Sequence, residues 1–331
     1  MTVLVTGGSG FVGSAVIRAL LDRGEAVRAM MRITSDPALL EGLEVERVIG
    51  DLDDPQSLNA AVKNCRALFH VAADYRLWVP KPDTIYRTNV EGTKTLMRAA
   101  AEAGVERILY TSSVATLGLT GDTRPADEAT PASISDMIGH YKRSKFLAEQ
   151  AVQTLIDDEG LPAVIVNPSA PVGPRDIKPT PTGRLVLDVA KGKLPAFVDT
   201  GLNIVHVEDV ADGHLLAFVR GEVGKRYILG GENLRLGDIT KAIAAAAGVS
   251  APRIKLPTGP LLPIAYAIES YWRLAGKTKE PLITVDGLRM AKKLMFFSSA
   301  KAERELGYRA RPATDAFEDA VTWYRSNHYL N

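Results

Sequence analysis

The chain has 331 residues, 46% hydrophobic and 24% charged, and its 40 Lys plus Arg nearly cancel 39 Asp plus Glu. That length holds one large globular domain or two modest ones, and the balance gives neither a basic footprint for nucleic acid nor an acidic run for a basic partner. The single cysteine, Cys65, excludes an intrachain disulfide and a cysteine-based zinc site, which suits a reducing cytoplasm.

In chain order, TVLVTG (2–7) is a short apolar run of β type, followed by a helical pattern in FVGSAVIRALLDRG (11–24). The runs AVRAMMR (26–32), EVERVIGDL (44–52) and RALFHVAA (66–73) come next, set apart by helix-like or turn-like segments. A long helix is expected in NVEGTKTLMRAAAEAG (89–104), a strand in VERILYTSS (105–113), a helix from HYKRSK to about Asp158, and a strand in LPAVIVNP (161–168). Apolar strands alternating with helices predict an α/β fold, a Rossmann-type doubly wound parallel sheet covered on both faces. The N-terminus turns glycine-rich without a basic and then apolar leader, so no signal peptide is expected.

The second half changes character. The proline-rich NPSAPVGPRDIKPTPTGR (167–184) reads as an ordered loop or lid, and NIVHVEDVADGHLLAFV (203–219) as strand then helix. Further helices are expected near 237–247, 261–275 and 314–326. The predicted layout is a nucleotide domain, 1–168 with 203–219 returning to it, and a smaller C-terminal α/β substrate domain and lid from 169–202 and 220–331. PLLPIAYAIESYWRLAG (260–276) is interrupted by Pro263, Glu269 and Arg273 and is too short to span a bilayer. It reads either as a core-packing helix or as a surface that meets lipid or an apolar substrate.

The first strand runs into TGGSGFVG, with Gly7, Gly10 and Gly13 spaced at threes and Phe11 and Val12 opening the helix between them. A strand before and a helix after give this spacing its meaning: a tight turn, close backbone approach to a pyrophosphate, and a helix N-terminus with free NH groups. At the end of the second strand, where an acid commonly takes the NAD ribose, stand Met30 and Met31, and then Arg32. A guanidinium there attracts a 2′-phosphate, so NADP(H) is the favoured cofactor and NAD the alternative. Asp51 and Leu52 either hold the adenine edge or, for Asp51, cap the next turn. Val71, Ala72 and Ala73 put small residues beside the cofactor ribose.

Tyr141 and Lys145 lie four apart, on one helical face. A cation near a phenol favours phenolate, lowers the tyrosine pKa and makes it a usable proton donor; an ordinary surface pair is the competing reading. No defensible metal-ligand spacing involves any of the five histidines, so no metal is implied.

TGGSGFVG, DL, HVAA, NVEGT, TSS, YKRSK and NPSAPVGP, in this order, resemble the extended short-chain dehydrogenase/reductase family, also described as NAD-dependent epimerases and dehydratases. The resemblance covers essentially the whole chain. It implies a catalytic group of Ser113, Tyr141 and Lys145 supported by Asn89, which also reads as a helix N-cap. It further implies that Asn167, Pro168 and Ser169 form the loop beside the nicotinamide. Ser112 is the competing serine, which strand alternation turns away.

Within that family, SSVATLG lacks the acid pair of sugar-nucleotide dehydratases, and Met31 and Leu117 replace the acid and tyrosine usual in 4-epimerases. Arg32 and NPSAPVGP look like reductases similar to dihydroflavonol 4-reductase. The segments 166–184, 202–217 and 226–233 resemble bacterial hopanoid-associated sugar epimerases. The expected activity is reduction of a small-molecule aldehyde or ketone, with a hopanoid-linked substrate as one form. A nucleotide-sugar epimerase and a non-catalytic NADP-binding redox sensor are the alternatives. A cytoplasmic enzyme is expected from the lone cysteine, and peripheral contact at the inner membrane face from 260–276; the resemblance implies a homodimer.

Overall fold

The computed structural model describes residues 2–76, 78–79, 81–277, 281 and 283–330. Its first half alternates β1 (Thr2–Thr6), α1 (Phe11–Asp22), β2 (Val27–Met31), β3 (Val45–Ile49), α2 (Pro55–Val62) and β4 (Cys65–His70). Then come α3 (Pro82–Tyr86), α4 (Gly92–Glu102), β5 (Arg107–Thr111), α5 (Gly139–Glu159) and β6 (Ala163–Pro168). Several strands stop short of the apolar runs that predicted them, because their last residues leave the sheet for the loops at its carboxyl edge. Proline at the first position of α2, with the Asp54 carboxylate accepting from Gln56 N at 3.1 Å, shows how locally such a start is coded.

The second half contains β7 (Ala170–Val172), α6 (Pro181–Ala190), β8 (Ala196–Val198), β9 (Gly201–His206), α7 (Val207–Arg220), β10 (Arg226–Leu229) and β11 (Glu232–Arg235). It continues with α8 (Leu236–Ala247), β12 (Ile254–Leu256), α9 (Thr258–Leu274), α10 (Val285–Ala291), β13 (Leu294–Met295), α11 (Ala300–Leu306) and α12 (Ala313–Ser326).

The main sheet has seven parallel strands in the order β3-β2-β1-β4-β5-β6-β10. The chain builds outward from β1 to β3 and then crosses to β4 on the other side of β1. This reversal opens a crevice at the carboxyl ends of the strands, where ligands of such sheets bind. Both faces are covered. Val3 and Val5 enter the core shared with α1, α7 and α11, whereas Leu4 enters the one shared with α2, α4 and α5. That is why the strand reads as an unbroken apolar run.

A second sheet centres on β9, paired with β7, β11 and β13. It packs with α6, α8 and α12; on α12, Ala313, Ala316, Phe317, Ala320, Val321 and Tyr324 form one buried helical stripe. Two expectations are corrected. The strand within 203–219 belongs to this second sheet, and only its helix, α7, packs on the first. Conversely β10, expected in the smaller domain, is the seventh strand of the first sheet.

The segment 260–276 is not a core helix. Ile264, Tyr266, Tyr271 and Leu274 are exposed, the last by 89%, while Ala265 with the half-buried Leu261 and Leu262 faces Val285 and Leu288 of α10. No helix of the described residues is long and apolar enough to cross a membrane.

Candidate active site

The turn between β1 and α1 is shaped by what a side chain would strike. Gly7 has φ +70°, and a Cβ there would lie 2.9 Å from the backbone of Ala72. At Gly13 a Cβ would come within 2.1 Å of the Gly7 carbonyl, so α1 packs this closely only with glycine. Phe11 and Val12 are half-buried against the core beside β1. Gly10, which precedes α1, supplies no side-chain cap, and the first turn holds no acid. The free NH groups and positive helix end are therefore available to an anion.

The other residues expected to meet a cofactor follow β2, β3 and β4. Met30 and Met31 are buried, and Arg32 is exposed. No side-chain hydrogen bond or ion pair engages Arg32 among the described residues. Val71 and Ala72 donate their NH groups to Thr6 Oγ1 at 3.2 and 3.1 Å, and Ala73 follows them along the half-buried wall of the crevice. Asp51 has a turn role: its Oδ1 accepts from Asp53 N at 3.0 Å. Leu52 packs under Gly92, where a Cβ would meet it at 2.7 Å.

The catalytic candidates converge at the carboxyl ends of β5 and β6. Ser113 caps a short turn, Val114–Thr116, its Oγ accepting from Ala115 N at 3.1 Å. Tyr141 projects from the first turn of α5; burial pushes its phenol up, and the Ser113 side chain partly offsets this. Lys145, one turn on, is 3% exposed and donates to the Thr111 carbonyl at 2.9 Å and the Tyr110 hydroxyl at 3.2 Å. Burial brings its ammonium down to about 8, against an upward pull from Glu149. Asn89 joins the Asp74 loop to α5: Oδ1 accepts from Asp74 N at 2.7 Å, and Nδ2 donates to Asp74 O at 2.8 Å and Ser144 Oγ at 2.9 Å.

The profile of the NAD dependent epimerase/dehydratase family matches residues 3–230. The chain belongs to this family. A "Putative dihydroflavonol 4-reductase" of Synechocystis sp. is 43% identical over 330 residues, 98% of this chain and 95% of the relative. Sterol demethylase protein B of Methylococcus capsulatus is 36% identical, with 98% of both chains covered. The solved structure of gox2253 is 56% identical and covers 100% of this chain and 99% of its own, with a TM-score of 0.90. The reductase-named relative supports an oxidoreductase. A dinucleotide fits the turn described here, where β1, α1 and the 71–72 backbone approach so closely that Gly7 and Gly13 have no room for a Cβ and the helix NH groups stay bare. The buried Ser169 Oγ, without a partner among the described residues, adds a polar group at the end of β6.

Three sequence readings of this family's motifs are corrected. Asn89 is no N-cap, since it lies inside a wide helical turn, Arg87–Glu91, that runs into α4. The Lys145 ammonium bonds β5, and the Tyr141 phenol is raised by burial rather than lowered. Asn167 and Pro168 are not loop residues but the last two of β6, and the fully buried Asn167 amide donates to Ser113 O at 3.0 Å and Glu149 Oε2 at 2.8 Å. The Ser112 hydroxyl is buried and has no partner among the described residues.

Sequence reasoning missed Tyr110, Thr116, Glu149 and Arg226. Glu149 was within reach, four residues beyond Lys145 on the same helix. Arg226 was not, because only the pairing of β10 with β6 brings it there. His70 is also internal: its ring bonds Thr6 Oγ1 at 2.8 Å and Thr93 Oγ1 at 2.9 Å, and burial, with the Lys145 charge second, lowers it to about 3.

Proposed function

We propose that this protein is an NADP(H)-dependent reductase of aldehydes or ketones attached to a large apolar body. The observation that carries the reading is the end of β2, where two buried methionines replace a ribose-binding acid and an exposed, unpaired Arg32 follows. A guanidinium there favours a phosphorylated ribose through charge-assisted hydrogen bonds. The apolar body is supported by the exposed Ile264, Tyr266, Tyr271 and Leu274 of α9 and by the sterol named in one full-length relative. A triterpenoid carrying an open-chain sugar aldehyde, as in hopanoid side chains, belongs to this class.

A bound nicotinamide cofactor supplies the hydride to the carbonyl carbon. Tyr141 gives its phenolic proton to the carbonyl oxygen, and Ser113 donates a hydrogen bond to that oxygen as charge gathers on it. Lys145, fixed to the Thr111 carbonyl, holds a positive charge behind the site. Asn89 ties the Asp74 loop to α5, so the tyrosine and lysine keep their places.

The test is NADPH consumption with a 3-ketosteroid and with decanal. One NADPH is expected to disappear per alcohol formed. Tyr141→Phe should still bind NADPH but turn over about 10²-fold slower or worse. Conversion of UDP-glucose to its 4-epimer without net cofactor consumption overturns the reading.

A further inference from the structure

We propose that Glu149 is a positioning residue of this active site: through Thr116 and Asn167 it fixes the Ser113 carbonyl, and along α5 it keeps Lys145 charged. The inference rests on the assignment of Ser113, Tyr141 and Lys145 given above. Tyr141, Lys145 and Glu149 recur at intervals of four and therefore share one face of α5. Glu149 is 7% exposed, and a buried carboxylate persists only where it is paired and hydrogen-bonded.

Here every contact points to the site or to its counter-charge. Oε2 lies 2.8 Å from both Thr116 Oγ1 and Asn167 Nδ2. Those two groups also reach the Ser113 carbonyl, at 2.8 and 3.0 Å. Asn167, with two N–H groups, donates to both oxygens at once, while the Thr116 hydroxyl has one proton to share between them; the carboxylate thus holds the serine turn from behind chiefly through the Asn167 amide. Oε1 accepts from Arg226 Nη1 at 3.0 Å, from a groove of about 730 Å³ between α5, β10 and α11.

The charges around the lysine are few. On β5 it meets only the Tyr110 hydroxyl and the Thr111 carbonyl, and on β4 His70, which is neutral above pH 5. On its own helix the Glu149 carboxylate acts on it. Arg226 of β10 stands beyond Glu149, with its guanidinium also bonded to the Glu128 carbonyl and its own carbonyl accepting from Lys301 of α11. Glu149 is therefore the one anion adjoining Lys145 among the described residues, and it favours the ammonium.

The decisive measurement is the titration of Lys145 by NMR of protein labelled with ¹⁵N at lysine Nζ, the signal being assigned by its loss in Lys145→Met. Glu149→Gln keeps size and removes charge. It should lower the Lys145 midpoint by about one pH unit, move the alkaline limb of kcat for the 3-ketosteroid with it, and reduce kcat about tenfold. Thr116→Val leaves the carboxylate in place, so the midpoint should stay while kcat falls several-fold. An unmoved Lys145 midpoint in Glu149→Gln overturns the proposal. Should that variant fail to fold, wild-type kcat in Thr116→Val overturns it instead. If no carbonyl compound is reduced, the proposed function falls, and the NMR midpoint still decides the role of Glu149.

Discussion

At the scale of single residues, the end of β2 makes the sharpest claim. Arg32 is exposed, follows two buried methionines and has nothing to hold among the described residues. Arg32→Ala should weaken NADPH binding by about 1.5–3 kcal/mol, the loss of a charged hydrogen bond, and leave NADH nearly unchanged. Equal weakening in a calorimetric titration of both cofactors refutes the assignment. The residues behind this prediction were legible, because a missing acid and a following base are both visible in the sequence. The direction of Lys145 was not. Its spacing from Tyr141 is a helical fact, but the Thr111 carbonyl and Tyr110 hydroxyl that capture its ammonium lie 34 and 35 residues away.

At the scale of elements, the β1–α1 turn is a steric lock. A Cβ at Gly13 would press within 2.1 Å of the Gly7 carbonyl, and α1 would have to lift from β1. Gly13→Ala should lower stability by about 1–3 kcal/mol, the usual range for overpacking, and displace the helix N-terminus from the pyrophosphate. A denaturant titration beside NADPH binding checks both; unchanged cofactor affinity removes α1 from the phosphate site. Such turns are legible because strand, glycines and helix are contiguous. The exchange of β9 and β10 between sheets was illegible for the opposite reason. Both are short, and what fixes β9 is distant: the Asn203 amide bonds Gly231 O, Asn233 Oδ1 and Phe297 O. Helix α9 shows a third limit, since apolar content alone does not say whether a face meets the core or solvent.

At the scale of the molecule, two neutral imidazoles are sealed into the first unit. Burial lowers His70 to about 3 and His214 to about 4, while the unfolded chain protonates near 6.5. Below pH 6.5 the unfolded state therefore binds more protons, and stability falls with pH. Down to about pH 4 the slope should be about 1.4 kcal/mol per pH unit for each ring. The full contribution is present above pH 6.5. A urea midpoint that stays level between pH 6.5 and 4.5 contradicts this. The order of strands bears also on how the protein is made. β6 and its last partner β10 are neighbours in space, but residues 169–225 separate them in the chain, and β7, α6 and β9 within that stretch go to the other sheet. At about 5–20 residues per second, a ribosome needs roughly 3–11 s to cross that interval. Throughout it the nascent β6, entirely buried in the finished fold, stands as a bare strand edge open to pairing with a neighbouring nascent chain.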